Sequence, residues 1–335
     1  MAADEMLSKV TAISDYAFAE HREITSVTLP KGLKKMGKCA FKSCSKLTSI
    51  VIPEGITSIE EGSFAWCGAL TSVTIPGSVT SVGYAAFSQC TNLAKITIPD
   101  KGLVTIGERA FSCPALKSFT IPTTVTSIEK WAFFDCQKLT SLVIPTTVRS
   151  IGEGAFANCK AITSIIIPKG ITKIEDSTFM NCEALTSVTI PNTVTSIGNG
   201  AFSSCKSLPS IAIPNTVTNI GESAFSLCSA LKSFTFPDNN SITSIENDTF
   251  LGAGLTSIII PNTVKSIGDG ALAGCSALKS VTLKGGTPPT INIDSWPGTF
   301  SDTPLNAIYV PANSVETYKK ADGWNKFADK IQAIK

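Results

Sequence analysis

Residues 185–205 read LTSVTIPNTVTSIGNGAFSSC, and this stretch decides the fold. Leu185-Thr186-Ser187-Val188-Thr189-Ile190-Pro191 alternates apolar and polar residues toward its end, as a half-buried strand does. Pro191-Asn192-Thr193 breaks the strand, because Pro has no ladder donor and Asn favours turns. Val194-Thr195-Ser196-Ile197 reads as a second extended segment with both apolar ends turned inward. Gly198-Asn199-Gly200-Ala201-Phe202 is expected to form one tight helical turn. Cys205 closes the unit, and Leu208 opens the next strand.

The same unit recurs along the chain. Its anchor is Phe18, Phe41, Phe64, Phe87, Phe111, Phe133, Phe156, Phe179, Phe202, Phe225, Phe250 and then Leu272, at intervals of 22 to 25 residues. A fixed short period means a stacked solenoid, since one such unit cannot bury its apolar face alone. About eight inward side chains per repeat, each worth about 1.5–3 kcal/mol, offset ordering entropy only once repeats touch. The long intervals place their extra residues in turns, at Asp100-Lys101-Gly102 and Asp238-Asn239-Asn240. After the second extended segment stands Gly37, Gly83, Gly107, Gly152, Gly198, Gly221 or Gly268, with Glu60, Glu129, Glu175 and Glu246 elsewhere. Glu resists a positive φ, so tight space or flexibility, not a left-handed backbone, is the expected reason for Gly here.

The solenoid is expected over residues 1–283 and a capping segment over 284–335. Asn306-Ala307-Ile308-Tyr309-Val310 echoes the strand pattern as a degenerate thirteenth rung. Ser314 is placed to cap a helix through Lys320, and Trp324, Phe327, Ile331 and Ile334 follow at helical spacing. At the other end, Met6, Leu7, Val10 and Ile13 read as a small amphipathic cover. Hydrophobic content is 43%, charged content only 16%, and the net charge is +2. That balance gives no overall electrostatic footprint for nucleic acid. No apolar run reaches the roughly 18 residues that span a bilayer. Met1-Ala2-Ala3-Asp4-Glu5 lacks the basic-then-apolar pattern of an export signal.

Residue types that carry chemistry are present, but their spacing disperses them. Ten of the eleven cysteines follow the anchor by two or three residues: Cys44, Cys67, Cys90, Cys113, Cys136, Cys159, Cys182, Cys205, Cys228 and Cys275. One thiol per rung makes a line, not a tetrahedral metal site or a disulfide, so they read as small buried apolar residues. Cys39 stands apart and is expected at the surface. His21, the single histidine, takes the cysteine position of the first rung and reads as a solvated end residue. Asp15, Glu61, Glu108, Glu153, Asp176, Glu222 and Asp269 precede the anchors and suit the N-terminus of a short helical turn. No catalytic, metal or cofactor site is expected. The candidate ligand-binding residues are the outward strand positions Ser72, Thr74, Lys95, Thr97, Ser118, Thr120, Ser187 and Thr189.

The recurring LTSVTIPNTVTSIGNGAFSSC resembles the BspA-like class of leucine-rich repeats, and residues 306–324 look like the cap found on its bacterial members. That resemblance implies a right-handed superhelix with a parallel β-sheet on the concave side, short 3-10 or helical turns, and a C-terminal helical cap. It also implies a surface or secreted binding protein. Its expected partners are protein ligands, such as host extracellular matrix or another cell surface, with neither nucleic acid nor a membrane span. A structural spacer in a cell-surface or phage assembly is the alternative it leaves open.

Overall fold

The structure, a computed structural model, describes residues 9–238 and 241–335. The chain divides into two compact units, Met1–Gly170 and Ile171–Lys335. Each is a parallel β-solenoid whose coils contribute a first strand, a second strand and a turn segment. In the first unit, Ser72–Thr74, Lys95–Thr97, Ser118–Thr120 and Ser141–Val143 form one parallel ladder. Ser58–Ile59, Ser81–Val82, Thr105–Ile106, Ser127–Ile128 and Ser150–Ile151 form the second. Register follows the repeat: Val73 pairs with Ile96, and Phe119 with Leu142. One coil shows why the units cohere. Leu70, Val73, Ile75, Val79, Val82, Ala86, Phe87 and Cys90 are each no more than 4% exposed.

The anchor rings stack. Centroids lie 5.7 Å apart for Phe41 and Phe64, 5.2 Å for Phe64 and Phe87, and 5.6 Å for Phe133 and Phe156. In the second unit Phe202 and Phe225 stand 5.7 Å apart, and Phe225 and Phe250 5.8 Å.

The segment around the anchor is not the expected helical turn. The residue two before each anchor has positive φ in all twelve coils, and the residue two after it in eleven. These left-handed residues orient alternate amides toward the neighbouring coil. Ala85, Phe87 and Gln89 donate to Glu108 O, Ala110 O and Ser112 O at 2.8, 2.9 and 2.9 Å. The intervening Ala86, Ser88 and Cys90 close turns onto residues three earlier. The result is a third hydrogen-bonded ladder. A left-handed backbone costs a non-glycine residue about 1–2 kcal/mol, and the inter-coil bonds offset it. The exception is the shortened coil at Phe111, where Cys113 replaces the second left-handed residue.

This geometry corrects the reading of the acidic column. With no helix N-terminus to approach, Asp15 Oδ1 accepts Lys38 N–H at 2.9 Å and Asp176 Oδ1 accepts Asn199 N–H at 2.8 Å. Lys38 Nζ reaches Glu61 at 3.1 Å. Of the two reasons expected for the glycine column, tight space is the one the geometry shows at Gly152 and Gly198. A Cβ on Gly152 would stand 2.6 Å from Lys130 N, and one on Gly198 2.6 Å from Asp176 N.

Both ends differ from expectation in detail. Met6 and Leu7 lie outside the described residues, and Ala12–Ile13 is a strand paired with Lys35–Met36, not part of an amphipathic cover. In the capping segment Ala307–Val310 does pair in parallel with the strand Ser280–Leu283. The helix is Val315–Lys320, entered from a 3-10 turn at Ala312–Ser314, and Ser314 makes no capping bond. Trp324–Phe327 is a 3-10 turn, and Ile331–Ala333 is a further strand where helical spacing suggested a helix. Trp324 is fully buried, its Nε1 donating to Pro289 O at 2.7 Å.

In the second unit the first ladder is interrupted. Residues 210–213 and 233–236 form no strand, whereas Ser257–Ile260 and Ser280–Leu283 pair normally. Pro209 stands where other coils supply a donor, as Ala94 does to Thr71 O at 3.0 Å. Phe234 and Phe236 replace aliphatic residues and pack edge-on, 5.0 Å apart. The anchor side does not follow suit. Ser223, Phe225 and Leu227 still donate to Asn247 O, Thr249 O and Leu251 O.

Candidate functional site

Strand alternation puts Ser72, Thr74, Lys95, Thr97, Ser118 and Thr120 on the exposed face of one sheet, with Val73, Ile96 and Phe119 beneath. Ser72 and Lys95 pair directly, as do Thr74 and Thr97. Ser187 and Thr189 are likewise exposed but belong to the second unit. The structure therefore assembles six of the eight predicted residues. The threonine row continues into Val143 and Ile166, which are 78% and 70% exposed, and begins from Val51 at 78%. These are β-branched side chains, stiff at χ1, so the face is a rigid strip of methyls and hydroxyls. Lys95 is the only charge among the six.

What separates this face from other hydroxyl columns is hydrogen bonding. Hydroxyls in the turns tie coils together: Thr48 to Thr25 O at 3.0 Å, Ser78 to Ile56 O at 2.6 Å, Thr147 to Val125 O at 2.9 Å. Among the described residues, Ser72, Thr74, Thr97, Ser118 and Thr120 make no such side-chain bond. Their hydroxyls are free to meet a ligand.

The cysteines are buried as thiols, with no disulfide among them. Each described bond runs along the column: Cys67 Sγ donates to Phe41 O at 3.1 Å, Cys90 to Phe64 O at 3.0 Å and Cys228 to Phe202 O at 3.1 Å. Burial pushes the Cys90, Cys228 and Cys275 thiols up to about 12 and Cys44 to about 11. Such thiols are poor nucleophiles. Cys39 is buried too, at 6% exposure, against its expected surface position. Its left-handed backbone turns the side chain against the next coil near Gly62. His21 is exposed and holds Glu23 at 2.9 Å. Among the described residues, no cluster of three or more His, Cys, Asp or Glu could hold a metal, and no helix is long and apolar enough to cross a membrane.

One surface group escaped sequence reasoning. Trp66 and Tyr84 are 56% and 48% exposed on the turn side. Arg109 lies 5.7 Å from the Trp131 ring and 5.5 Å from Phe134. The available signal was aromatic side chains at turn positions where most other coils carry small, polar or charged residues.

Stacked coils of this length, each with a short parallel strand and inward Leu and Phe columns, define a leucine-rich repeat solenoid. The family described as BspA type Leucine rich repeat region (6 copies) matches residues 11–140, 104–225, 132–253 and 195–321. The chain belongs to that family. A leucine-rich repeat protein from Bacteroides ovatus is similar at 25% identity and a TM-score of 0.64, over 97% of this chain and 88% of that one. A leucine rich cell surface protein from Faecalibacterium prausnitzii is 28% identical with a TM-score of 0.55, over 88% of this chain and 86% of the other. The pneumococcal vaccine antigen PcpA shares the fold at 22% identity and a TM-score of 0.55, over 97% and 83% of the two chains. Among curated proteins nothing matches the sequence.

Proposed function

We propose that the chain is a non-enzymatic binding module, secreted or displayed at a cell surface, that mediates protein or cell adhesion through the Ser/Thr face of the first ladder. The observation that carries this reading is a register-locked row of hydroxyls without intramolecular partners, bordered by exposed Val51, Val143 and Ile166. Such a face supports broad, shallow contact with a protein partner, in which a few desolvated anchors hold most of the affinity. The cell-surface description of the F. prausnitzii relative is consistent with that location. Residues 284–335 act as the cap, with Trp324 and Tyr318 as its buried centre. The test is surface plasmon resonance against a panel of extracellular-matrix proteins, comparing the native chain with a Thr74→Glu, Thr97→Glu, Thr120→Glu variant. Binding should fall at least tenfold in the variant. Unchanged binding would clear this face of responsibility.

A further inference from the structure

The interrupted ladder of the second unit opens two adjoining clefts. One, of about 340 Å³, lies between residues 210–213 and 233–236, with Asn215 and Asp238 at its mouth. The other, of about 180 Å³, lies between Thr235 and Ile259, bounded by Pro237, Pro261, Asn262 and Lys284. Thr235, Phe236 and Asp238 line both, so the two are lobes of one groove across successive coils. Ordinary small-ligand pockets span about 300–1,000 Å³. We propose that this groove is a binding site for a neutral oligosaccharide.

Three observations support that chemistry. First, the groove walls carry main-chain groups that other coils pair. Among the described residues, the backbone donors tying these two segments to a neighbour lie only at their ends: Lys232 N to Pro209 O at 3.3 Å and Thr256 N to Lys232 O at 3.2 Å where they start, and Asp238 N to Asn215 Oδ1 at 3.0 Å just past Phe236. Amides and carbonyls left unpaired along a cleft call for groups that both donate and accept, as hydroxyls do. Second, the opening is a wedge. The anchor rings remain 5.7 and 5.8 Å apart across these coils, so the coils have not parted by a whole strand of about 4.8 Å. A peptide strand would need a further separation of about 4.8 Å through the coil, whereas sugar hydroxyls need only reach the open edge. Third, the rim is two amides, one carboxylate and one ammonium, from Asn215, Asn262, Asp238 and Lys284, which favours no net ligand charge. The half-exposed Ile259, with Pro261 beside it, offers apolar surface to a pyranose face.

The site is separate from the Ser/Thr face of the first unit. The full chain is screened on an array of neutral tri- and tetrasaccharides, and the best binder is titrated by calorimetry. We expect one-to-one binding and slowed amide hydrogen exchange at residues 211–213 and 235. Thr235→Trp, which fills both lobes from an exposed position, should weaken binding at least tenfold. Pro209→Thr with Phe236→Ile, which restores the usual coil, should do the same. Thr74→Glu, Thr97→Glu, Thr120→Glu should leave saccharide binding intact. No binder on the array, affinity that survives Thr235→Trp, or stronger binding of a heptapeptide with the sequence of residues 185–191 would each overturn the assignment.

Discussion

Alkaline pH should unfold the second unit through its cysteines. Cys228 and Cys275 are fully buried, and burial raises each thiol to about 12. In the unfolded chain a thiol titrates near 8.5. The folded state therefore holds these protons more tightly, and their contribution is complete below about pH 8.5. It is lost as pH rises from there toward about 12. At pH 10 an unfolded thiol has gained about 1.5 pH units of ionisation free energy at about 1.36 kcal/mol per unit, roughly 2 kcal/mol. The two together remove about 4 kcal/mol, a large part of the roughly 5–15 kcal/mol that holds a domain. The assay is circular dichroism with thiolate absorbance against pH, under reductant. Unfolding and thiolate formation should coincide, and Cys228→Ala with Cys275→Ala should shift the transition to higher pH. The reasoning fails if the double variant unfolds at the same pH, or if thiolates appear near pH 8.5 while the strands persist.

Two further outcomes follow from burial and position. Phe133→Ala should cost about 3–5 kcal/mol, since its buried ring touches Phe111, Phe119 and Phe156. Phe18→Ala should cost about 1 kcal/mol by area, because Phe18 is 36% exposed and stacks on Phe41 on one side, with only the exposed His21 edge-on to it besides; equal shifts in urea midpoint would refute the graded stack. Trp324→Phe leaves the Pro289 carbonyl without its donor and should cost about 1–3 kcal/mol. A melting temperature unchanged by that substitution would remove Trp324 from the cap's centre.

The coil was legible because its period repeats the same inward residues, so that Phe87, Leu93 and Val82 declare their burial in every copy. The second extended segment was legible for the same reason: Val194 and Ile197 are both fully buried. The turn around the anchor was not. Gly62, Gly154 and Gly200 hint at a left-handed position, but Tyr16, Ala85, Arg109 and Trp131 occupy it elsewhere. Inter-coil bonding overrides local preference there, and propensity cannot see it. Ile331 and Ile334 misled because three or four apolar residues fit two periods equally well. The outward row Ser72 to Thr120 followed directly from strand alternation. Its lack of hydrogen bonds did not, because turn threonines such as Thr48 look alike in sequence yet spend their hydroxyls on the adjacent coil. Pro209 was visible, but its effect depends on which strand needed the missing donor.

The amides around the anchors bear on how the second unit can vary. Holding neighbouring coils together and exposing a strand face fall to different segments of each coil. Where Pro209 and the phenylalanine pair unpick one side, the other keeps its bonds through Phe225 and Thr249. A single coil can thus acquire its own relief without toppling those above and below it. Such a scaffold lets surface shape diversify one layer at a time.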